Sequence, residues 1–419
     1  MSGFDNSVPV VRDQNPLKSS VFSGTPLDEI CPTILKKANM TFAQHTKTRH
    51  NVLRLIISAA VVLSACSSEE GERAEITVDA APSLPLVTLV ANQASNNISA
   101  FMINATSGVL APVAGSPYPA GGTTPGGIAV SSDGALAYVA NQGSNNISAF
   151  TVDPSAGTLT AVPGSPFTAG TTPSRVTISP NRSFVFISNQ GSNSISALGV
   201  TATGGLTPIA GSPFPAGFTP SGITCTPNGA FLYVANQGSN NVSGFTINGS
   251  GQLSAVAGSP FAVGTTPVGV VISPNGSVLY VSNQGSNYVS ALAIDASTGS
   301  LTPVTGSPFA TGITPAGITI SPNGSFLYVA NQSTNNVSAF AIVAGTGALT
   351  PVGPPVPAGT TPTSVTVSPD GAFLYAANQG SNDVFAYRIN SASGSLATVS
   401  GSPFTVGVTP RAIATAGHP

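Results

Sequence analysis

The sequence predicts an all-β protein: a seven-bladed β-propeller of four-stranded blades, closed by a blade shared between the N- and C-terminal strands. Three observations predict this fold. A unit recurs seven times, each unit contains four strand-like pieces, and the first unit lacks one piece that the C-terminus supplies. Repeats of this length with several short strands are typical of propellers.

The repeat is marked by an Asn-Gln pair inside a polar loop, as in YVANQGSNN at 138–146 and again at 233–241. The mean spacing between copies is about 48 residues. The Asn of the pair recurs at Asn92, Asn141, Asn189, Asn236, Asn283, Asn331 and Asn378.

The fourth copy shows the four pieces in order: SGITCTP, AFLYVAN, NVSGFTI and QLSAVAGSPF. Pro-Asn-Gly at 227–229 predicts a hairpin after the first piece, and Gly-Ser-Gly at 249–251 predicts one after the third. Pro208 and Pro213 place the fourth piece at the sheet edge, because proline lacks the N–H that an interior strand donates. The small first piece, with Gly222, suits a crowded inner channel.

The two ends of the repeat region predict ring closure. The region begins at Leu86 with a strand of the second kind, and it stops with a solitary strand of the first kind, RAIATA at 411–416. One blade is therefore expected to be shared by both termini. A closed propeller uses this arrangement to lock the ring, whereas a solenoid does not need it.

Charged side chains are scarce beyond residue 80, where only nine remain and none is Glu or Lys. A hydrophobic fraction of 41% with a net charge of −2 favours packed β structure over disorder. The same charge argues against a nucleic-acid partner, which needs clustered Lys and Arg. Three cysteines imply no disulfide framework, and Cys225 is expected to be a small buried hydrophobic residue.

The segment 47–66, KTRHNVLRLIISAAVVLSAC, has the layout of a secretory signal peptide. Its apolar run is too short to cross a hydrocarbon core, which needs about 20 residues. The ending LSAC resembles a bacterial lipobox, which implies lipidation of Cys66 and a membrane partner through the lipid anchor. The expected location is the bacterial cell envelope, at the outer membrane or facing the periplasm.

These features divide the chain into four predicted parts. Residues 1–39 form a doubtful leader and suggest a mis-assigned start, residues 40–65 form the lipoprotein signal peptide, residues 66–84 form the lipidated Cys and a flexible tether, and residues 85–419 form the propeller.

Through YVAN, YVSN, the SPNG or SPDG turn and the GSPF ending, residues 85–419 resemble the YVTN-repeat and lactonase-like propellers, which include 6-phosphogluconolactonase-like hydrolases. The resemblance implies that ligands meet the ring where the NQGSNN and GTTP loops lie. It also implies catalytic groups at the channel mouth, supplied by His, Glu and Arg or by a metal. From Ala80 onward the chain has no Glu, and its only His is His418.

The candidate ligand-binding residues are the seven Asn residues together with Arg175, Arg411 and Asp383. For the Asn residues we expect a structural role, since a buried amide must be hydrogen-bonded, and the alternative is a ligand-facing ring. Arg175 and Arg411 lie on blades two apart and together suit a carboxylate or phosphate, although we prefer solvated or internally paired arginines. Asp383 is a candidate partner for Arg411.

No catalytic residue, metal site or cofactor is predicted, since the scattered Asp residues and one Cys provide no metal cluster. Our leading hypothesis is a lipid-anchored, non-catalytic binding or scaffold protein, with a glycan or an envelope protein as partner. One alternative is a lactonase-like hydrolase acting on a sugar lactone at the channel mouth, and another is a lectin-like glycan binder. The sequence leaves the oligomeric state open.

Overall fold

The computed structural model describes residues 86–416, and every regular element in that part of the chain is a β-strand. The strands form seven antiparallel sheets, and each sheet is one blade. A blade has four strands, of which the outermost is broken into two short pieces that both pair with the third strand. The predicted all-β, seven-bladed propeller is therefore confirmed. We number the blades in chain order from blade 1, which contains Leu86.

The strand bounds, from blade 1 to blade 7, repeat closely. The inner strands are Pro410–Ala416, Pro125–Val130, Pro173–Ile178, Pro220–Cys225, Pro267–Ile272, Pro315–Ile320 and Pro362–Val367. The second strands are Leu86–Asn92, Leu136–Asn141, Phe184–Asn189, Phe231–Asn236, Val278–Asn283, Phe326–Asn331 and Phe373–Asn378. The third strands are Asn97–Ile103, Asn146–Val152, Ser194–Val200, Asn241–Ile247, Tyr288–Ile294, Asn336–Ile342 and Asp383–Ile389.

The two pieces of each outer strand are given in the same blade order. They are Leu110–Pro112 with Tyr118–Pro119, Leu159–Ala161 with Phe167–Thr168, Leu206–Pro208 with Phe214–Pro215, Leu253–Ala255 with Phe261–Ala262, Leu301–Pro303 with Phe309–Ala310, Leu349–Pro351 with Val356–Pro357, and Leu396–Thr398 with Phe404–Thr405.

Blade 1 is built from both ends of the repeat region, as predicted. Leu86–Asn92 pairs antiparallel with Pro410–Ala416, which supplies its inner strand. Phe373 of blade 7 packs in one apolar cluster with blade 1, and Tyr375 Oη donates to Gly108 O of blade 1 at 3.0 Å. The ring is therefore closed by strand pairing, apolar packing and a buried hydrogen bond.

The second strands form the core because each blade is covered on both faces by its neighbours. Leu232, Tyr233 and Val234 are all fully buried, and the apolar clusters each contain residues of two adjacent blades. The buried Tyr233 hydroxyl donates to Gly299 O in the next blade at 2.7 Å. Such a partner is required because an unpaired buried hydroxyl is destabilising.

The inner strands of neighbouring blades approach closely at glycines. A Cβ placed on Gly222, Gly269 or Gly317 would lie 2.5 Å from a main-chain atom of the following blade. Real Cβ contacts are not that short, so only glycine fits these positions without displacing the neighbour. This confirms the crowded inner channel that the small first strand predicts.

The hairpin at Arg182 keeps the geometry of its sister turns. Arg182 replaces the usual turn glycine, and the sequence suggests a different hairpin shape there. That expectation is wrong, because Arg182 adopts φ 60°, close to the 71° of Gly134 and the 72° of Gly229. The left-handed conformation costs a non-glycine residue some strain, and the exposed Arg182 also pairs with Asp133.

Thr88 gives a stability prediction. It is fully buried in the second strand of blade 1, and its Oγ1 has no hydrogen-bond partner among the described residues. The other six blades carry apolar residues at this position: Ala137, Val185, Leu232, Leu279, Leu327 and Leu374. We expect Thr88→Val to raise the free energy of unfolding by about 1–2 kcal/mol, measured by urea unfolding.

The matched control is Thr226→Val. The Thr226 hydroxyl is equally buried, but it donates to Asn228 Oδ1 at 2.7 Å and accepts from the Phe231 N–H at 3.0 Å. This substitution should lower stability by about 1 kcal/mol. A Thr88→Val variant that is destabilised as much as Thr226→Val would contradict our assignment of an unpaired hydroxyl.

The predicted leader, signal peptide, lipidated Cys66 and tether all lie outside the described residues, and they stay predictions. Labelled fatty acid incorporated by the wild type but not by Cys66→Ala is the result that checks them. No helix within residues 86–416 has the length and apolar character needed to cross a membrane.

Candidate functional site

The second-to-third loops and the fourth-to-first connections meet at one end of the ring, as predicted. In blade 2 the Gln142 N–H donates to Thr124 O at 2.9 Å, which joins the two kinds of loop. The Asn directly before each third strand also contacts the next blade, as in blade 1, where Asn96 Oδ1 accepts from the Thr124 N–H at 2.6 Å. The ring-closing pair, Asn382 and Thr409, makes the same bond at 2.7 Å.

This bond recurs at every joint of the ring. The remaining pairs are Asn145–Thr172, Asn193–Thr219, Asn240–Thr266, Asn287–Thr314 and Asn335–Thr361. All seven of these Asn residues have positive φ, which Asn tolerates better than most residues. The polar loop therefore recurs in every blade because its Asn side chain joins that blade to the next by a hydrogen bond.

The seven candidate Asn residues of the Asn-Gln pairs are all fully buried inside their blades. Asn141 is typical, because its Nδ2 donates to Asn146 Oδ1 at 2.8 Å and to Ser148 Oγ at 2.9 Å. In blade 3, Asn189 Oδ1 also accepts from the Gly170 N–H at 3.1 Å. Within the described residues, none of the seven lines the channel cavity.

The channel mouth contains a cavity of about 150 Å³. Its walls are the inner strands of blades 1 and 3 to 7, together with Gln237, Gln284 and Gln332 from the polar loops. Arg175 and Arg411 both line it, so the structure brings together two of the three charged candidates. A cavity this small accommodates a single substituted ring rather than a drug-sized ligand, for which pockets of about 300 Å³ or more are usual.

Both arginines owe their position to a β-bulge at the start of an inner strand. In blade 1, Pro410 pairs with Asn92 and Ala412 pairs with Ala91, so Arg411 is the extra residue. In blade 3 the extra residue is Ser174, and Arg175 follows it directly. Bulges of this kind redirect side chains near functional sites.

The electrostatics of the mouth are dominated by these two cations. Burial, followed by repulsion from Arg411, lowers the pKa of Arg175, and burial lowers the pKa of Arg411. Both remain protonated at neutral pH, because arginine starts from a pKa above 12. Arg175 donates to Gly126 O of blade 2, but no carboxylate in residues 86–416 pairs with either arginine. The mouth therefore attracts an anion or a developing negative charge.

Asp383 does not join this site. Asp383 was a candidate partner for Arg411, but it opens a third strand, two strands away from the channel, and accepts from Asn378 Nδ2 at 2.7 Å. The only ion pair in the described part of the chain joins Arg182 to Asp133, at a hairpin on the other end of the ring. The candidate Arg411–Asp383 pair therefore does not form in the described part of the chain.

The glutamines of the Asn-Gln pairs are the site residues that we missed. Gln190 Nε2 donates to Gln237 Oε1 at 3.1 Å, and Gln284 Nε2 donates to Gln332 Oε1 at 2.7 Å. In each pair the second Gln accepts through Oε1, and its amino group donates to no partner among the described residues. Gln follows Asn in all seven copies, so the repeat itself was the signal.

Neither a metal centre nor a thiol nucleophile is evident among the described residues. No cluster of three or more His, Cys, Asp or Glu side chains occurs in 86–416. Cys225 is partly buried against an apolar cluster, and burial raises the pKa of its thiol to about 12. A thiol with that pKa is not a nucleophile at neutral pH.

A family profile described as Lactonase, 7-bladed beta-propeller, matches the chain in five overlapping segments. They are residues 114–213, 158–268, 209–312, 251–363 and 354–417. The chain belongs to this lactonase family. Comparison with curated proteins gives no significant match.

Solved structures similar to this lactonase-family propeller share its fold at low identity. A candidate 6-phosphogluconolactonase of Bacteroides fragilis has a TM-score of 0.71 at 22% identity, covering 80% of this chain and 99% of that one. One from Bacteroides uniformis has 0.69 at 22%, covering 79% and 99%. The periplasmic gluconolactonase PpgL of Pseudomonas aeruginosa has 0.68 at 21%, covering 80% and 100%.

These comparisons correct our leading hypothesis. A non-catalytic binding or scaffold protein is the wrong conclusion, because the chain belongs to a lactonase family. The hypothesis depended on the lack of Glu and of a channel His. It gave too little weight to cations and amides, which also stabilise the charge that develops in acyl transfer.

Proposed function

We propose that the protein is a lactone hydrolase that opens a small sugar lactone at the channel mouth. The observation that carries the proposal is the placement of Arg175 and Arg411, two cations without a carboxylate partner in residues 86–416, on one cavity of about 150 Å³. Lactone hydrolysis develops negative charge on the carbonyl oxygen. Positive groups fixed in advance around that oxygen lower the barrier.

In the proposed reaction the lactone carbonyl oxygen faces the two guanidinium groups, and the amino groups of Gln237 and Gln332 donate to the ring substituents. A hydroxide ion attacks the carbonyl carbon and forms a tetrahedral intermediate whose oxyanion the arginines stabilise. The ring C–O bond then breaks, and the leaving alkoxide takes the proton of the new carboxyl group, directly or through solvent, which yields the hydroxy acid as its carboxylate. The product carboxylate stays next to the same cations until it leaves.

The lining residues provide no general base, since none of those described carries a carboxylate or an imidazole. The nucleophile is therefore expected to be hydroxide, formed when a water molecule loses its proton to solvent before the attack. The logarithm of kcat/KM should rise steadily with pH over about pH 5 to 8, without the inflexion that a titrating base produces. Both arginines keep their charge across this range.

The test is turnover of glucono-δ-lactone and related sugar lactones by the purified full chain, followed in a pH-stat and corrected for the uncatalysed rate. We expect saturable hydrolysis with the steady pH dependence. An inflexion near the pKa of a carboxylate or an imidazole would refute the base-free mechanism. A rate equal to the uncatalysed one for every lactone would refute the proposed function itself.

A further inference from the structure

Exposed apolar side chains surround part of the channel mouth. Phe218, Ile313 and Val408 are 67%, 54% and 53% exposed. Each lies two residues before the proline that opens an inner strand, and we call these three residues the collar. The other four blades carry Thr at this place: Thr123, Thr171, Thr265 and Thr360. The three apolar side chains stand at equivalent positions on one face, with Thr265 and Thr360 between them in the order of the blades.

The backbone joins the collar to the cavity. Phe218 O accepts from the Gly238 N–H, directly after Gln237, at 3.0 Å. Ile313 O accepts from the Ser333 N–H, directly after Gln332, at 3.2 Å. Val408 O accepts in the same way from the Ala94 N–H at 3.2 Å. Because Gln237 and Gln332 line the cavity, Phe218 and Ile313 lie at its rim. A ligand that extends out of the cavity beside Gln237 or Gln332 therefore meets Phe218 or Ile313.

The cavity and the collar differ in chemistry. The cavity has cations and amides and, at about 150 Å³, room for one lactone ring, whereas the collar has only hydrocarbon. We propose that the substrate is a lactone that carries a hydrocarbon substituent, with the ring beside Arg175 and Arg411 and the substituent on the collar. This inference rests on the proposed function, because that function places the ring in the cavity.

The test uses a lactam as a non-hydrolysable probe and the full chain. Titration calorimetry compares δ-valerolactam with an octyl-substituted δ-lactam. We expect the octyl compound to bind about tenfold more tightly, since it covers apolar surface at the rim. The triple variant Phe218→Thr, Ile313→Thr, Val408→Thr, which restores the Thr of the sister blades, should lose that preference.

The control variant is Val343→Thr. Val343 is 43% exposed in a third-to-fourth turn, at the end of the ring opposite the mouth, and its replacement should leave the tenfold preference unchanged. Equal affinity of the wild type for the two lactams would overturn the proposal. So would a triple variant that changes self-association or vesicle binding but keeps the preference, because the collar would then serve a second copy or a lipid surface.

Turnover of sugar lactones separates this inference from the proposed function. Hydrolysis of sugar lactones without the octyl preference would refute the proposed hydrocarbon substituent of the substrate. The proposal that the protein is a lactone hydrolase would still stand. If the protein preferred the octyl lactam but hydrolysed no lactone, substituted or not, the proposed hydrolase activity would be refuted. The proposal that the collar binds part of a substrate would then be refuted as well.

Discussion

Replacing Arg411 by Met is expected to lower kcat/KM for lactone hydrolysis about 100- to 1,000-fold, which is the usual effect of removing one oxyanion donor. Met keeps an unbranched apolar stem and removes the charged guanidinium group. Arg411 occupies the bulge of the blade 1 inner strand, lines the cavity and makes no ion pair in the described part of the chain. Most of the loss should appear in kcat, because the oxyanion exists only at and near the transition state.

Arg182→Gly provides the charge-matched control. It removes one positive charge at a hairpin on the end of the ring opposite the cavity, and it inserts the residue that most sister turns carry. Its kcat should stay within about twofold of the wild type, because solvent and salt screen so distant a charge. Arg411→Lys should recover part of the activity. If Arg411→Met raised KM and left kcat unchanged, the cation would bind substrate without stabilising the transition state.

Arg175 is a less direct probe of the same chemistry. Its guanidinium donates to Gly126 O of the neighbouring blade, so a substitution removes a contact between blades together with a charge. A fall in activity of Arg175→Met would therefore combine two effects. Arg411, for which no such backbone contact occurs in residues 86–416, separates catalysis from packing.

Much of the fold could be predicted from the sequence because its signals are local and repeated. The seven Asn-Gln pairs count the blades, and the Pro-Asn-Gly and Gly-Ser-Gly turns divide each unit into strands. The solitary RAIATA strand at 411–416 identifies the shared blade. Each of these features depends only on residues that are close together in the sequence. The assignment made for one repeat can also be compared with the equivalent residues of the other repeats.

The site was harder to predict because it depends on distance from the axis, which the repeat does not encode. Asn141 ends a second strand and is buried, whereas Gln142 is the first residue beyond it and is partly exposed. Both amides recur in every repeat, so the repeat does not show which of them lies at the mouth. The position of the strand end decides it. Asp383 and Arg411 are separated for the same reason, since they belong to different strands of neighbouring blades.

Gly317→Ala is expected to lower the free energy of unfolding by about 2–3 kcal/mol, the upper part of the usual range for overpacking. The added Cβ would lie 2.5 Å from Ser364 Cα and 2.9 Å from Thr363 O in the inner strand of the next blade. Main-chain atoms cannot rotate away as a flexible side chain can. The strain must therefore spread into the joint between blades 6 and 7, and the urea midpoint should fall.

Gly249→Ala is the matched substitution. No heavy atom lies within 4 Å of its Cβ position, and Gly249 has no left-handed φ. It should therefore leave stability unchanged or raise it by up to about 1 kcal/mol, through the reduced freedom of the unfolded chain. Equal midpoints for the two variants would mean that neighbouring inner strands can separate at little cost. Because Gly317 also lines the cavity, a channel that expands so easily would not hold Arg175 and Arg411 at a fixed separation, and the electrostatic mechanism requires that separation.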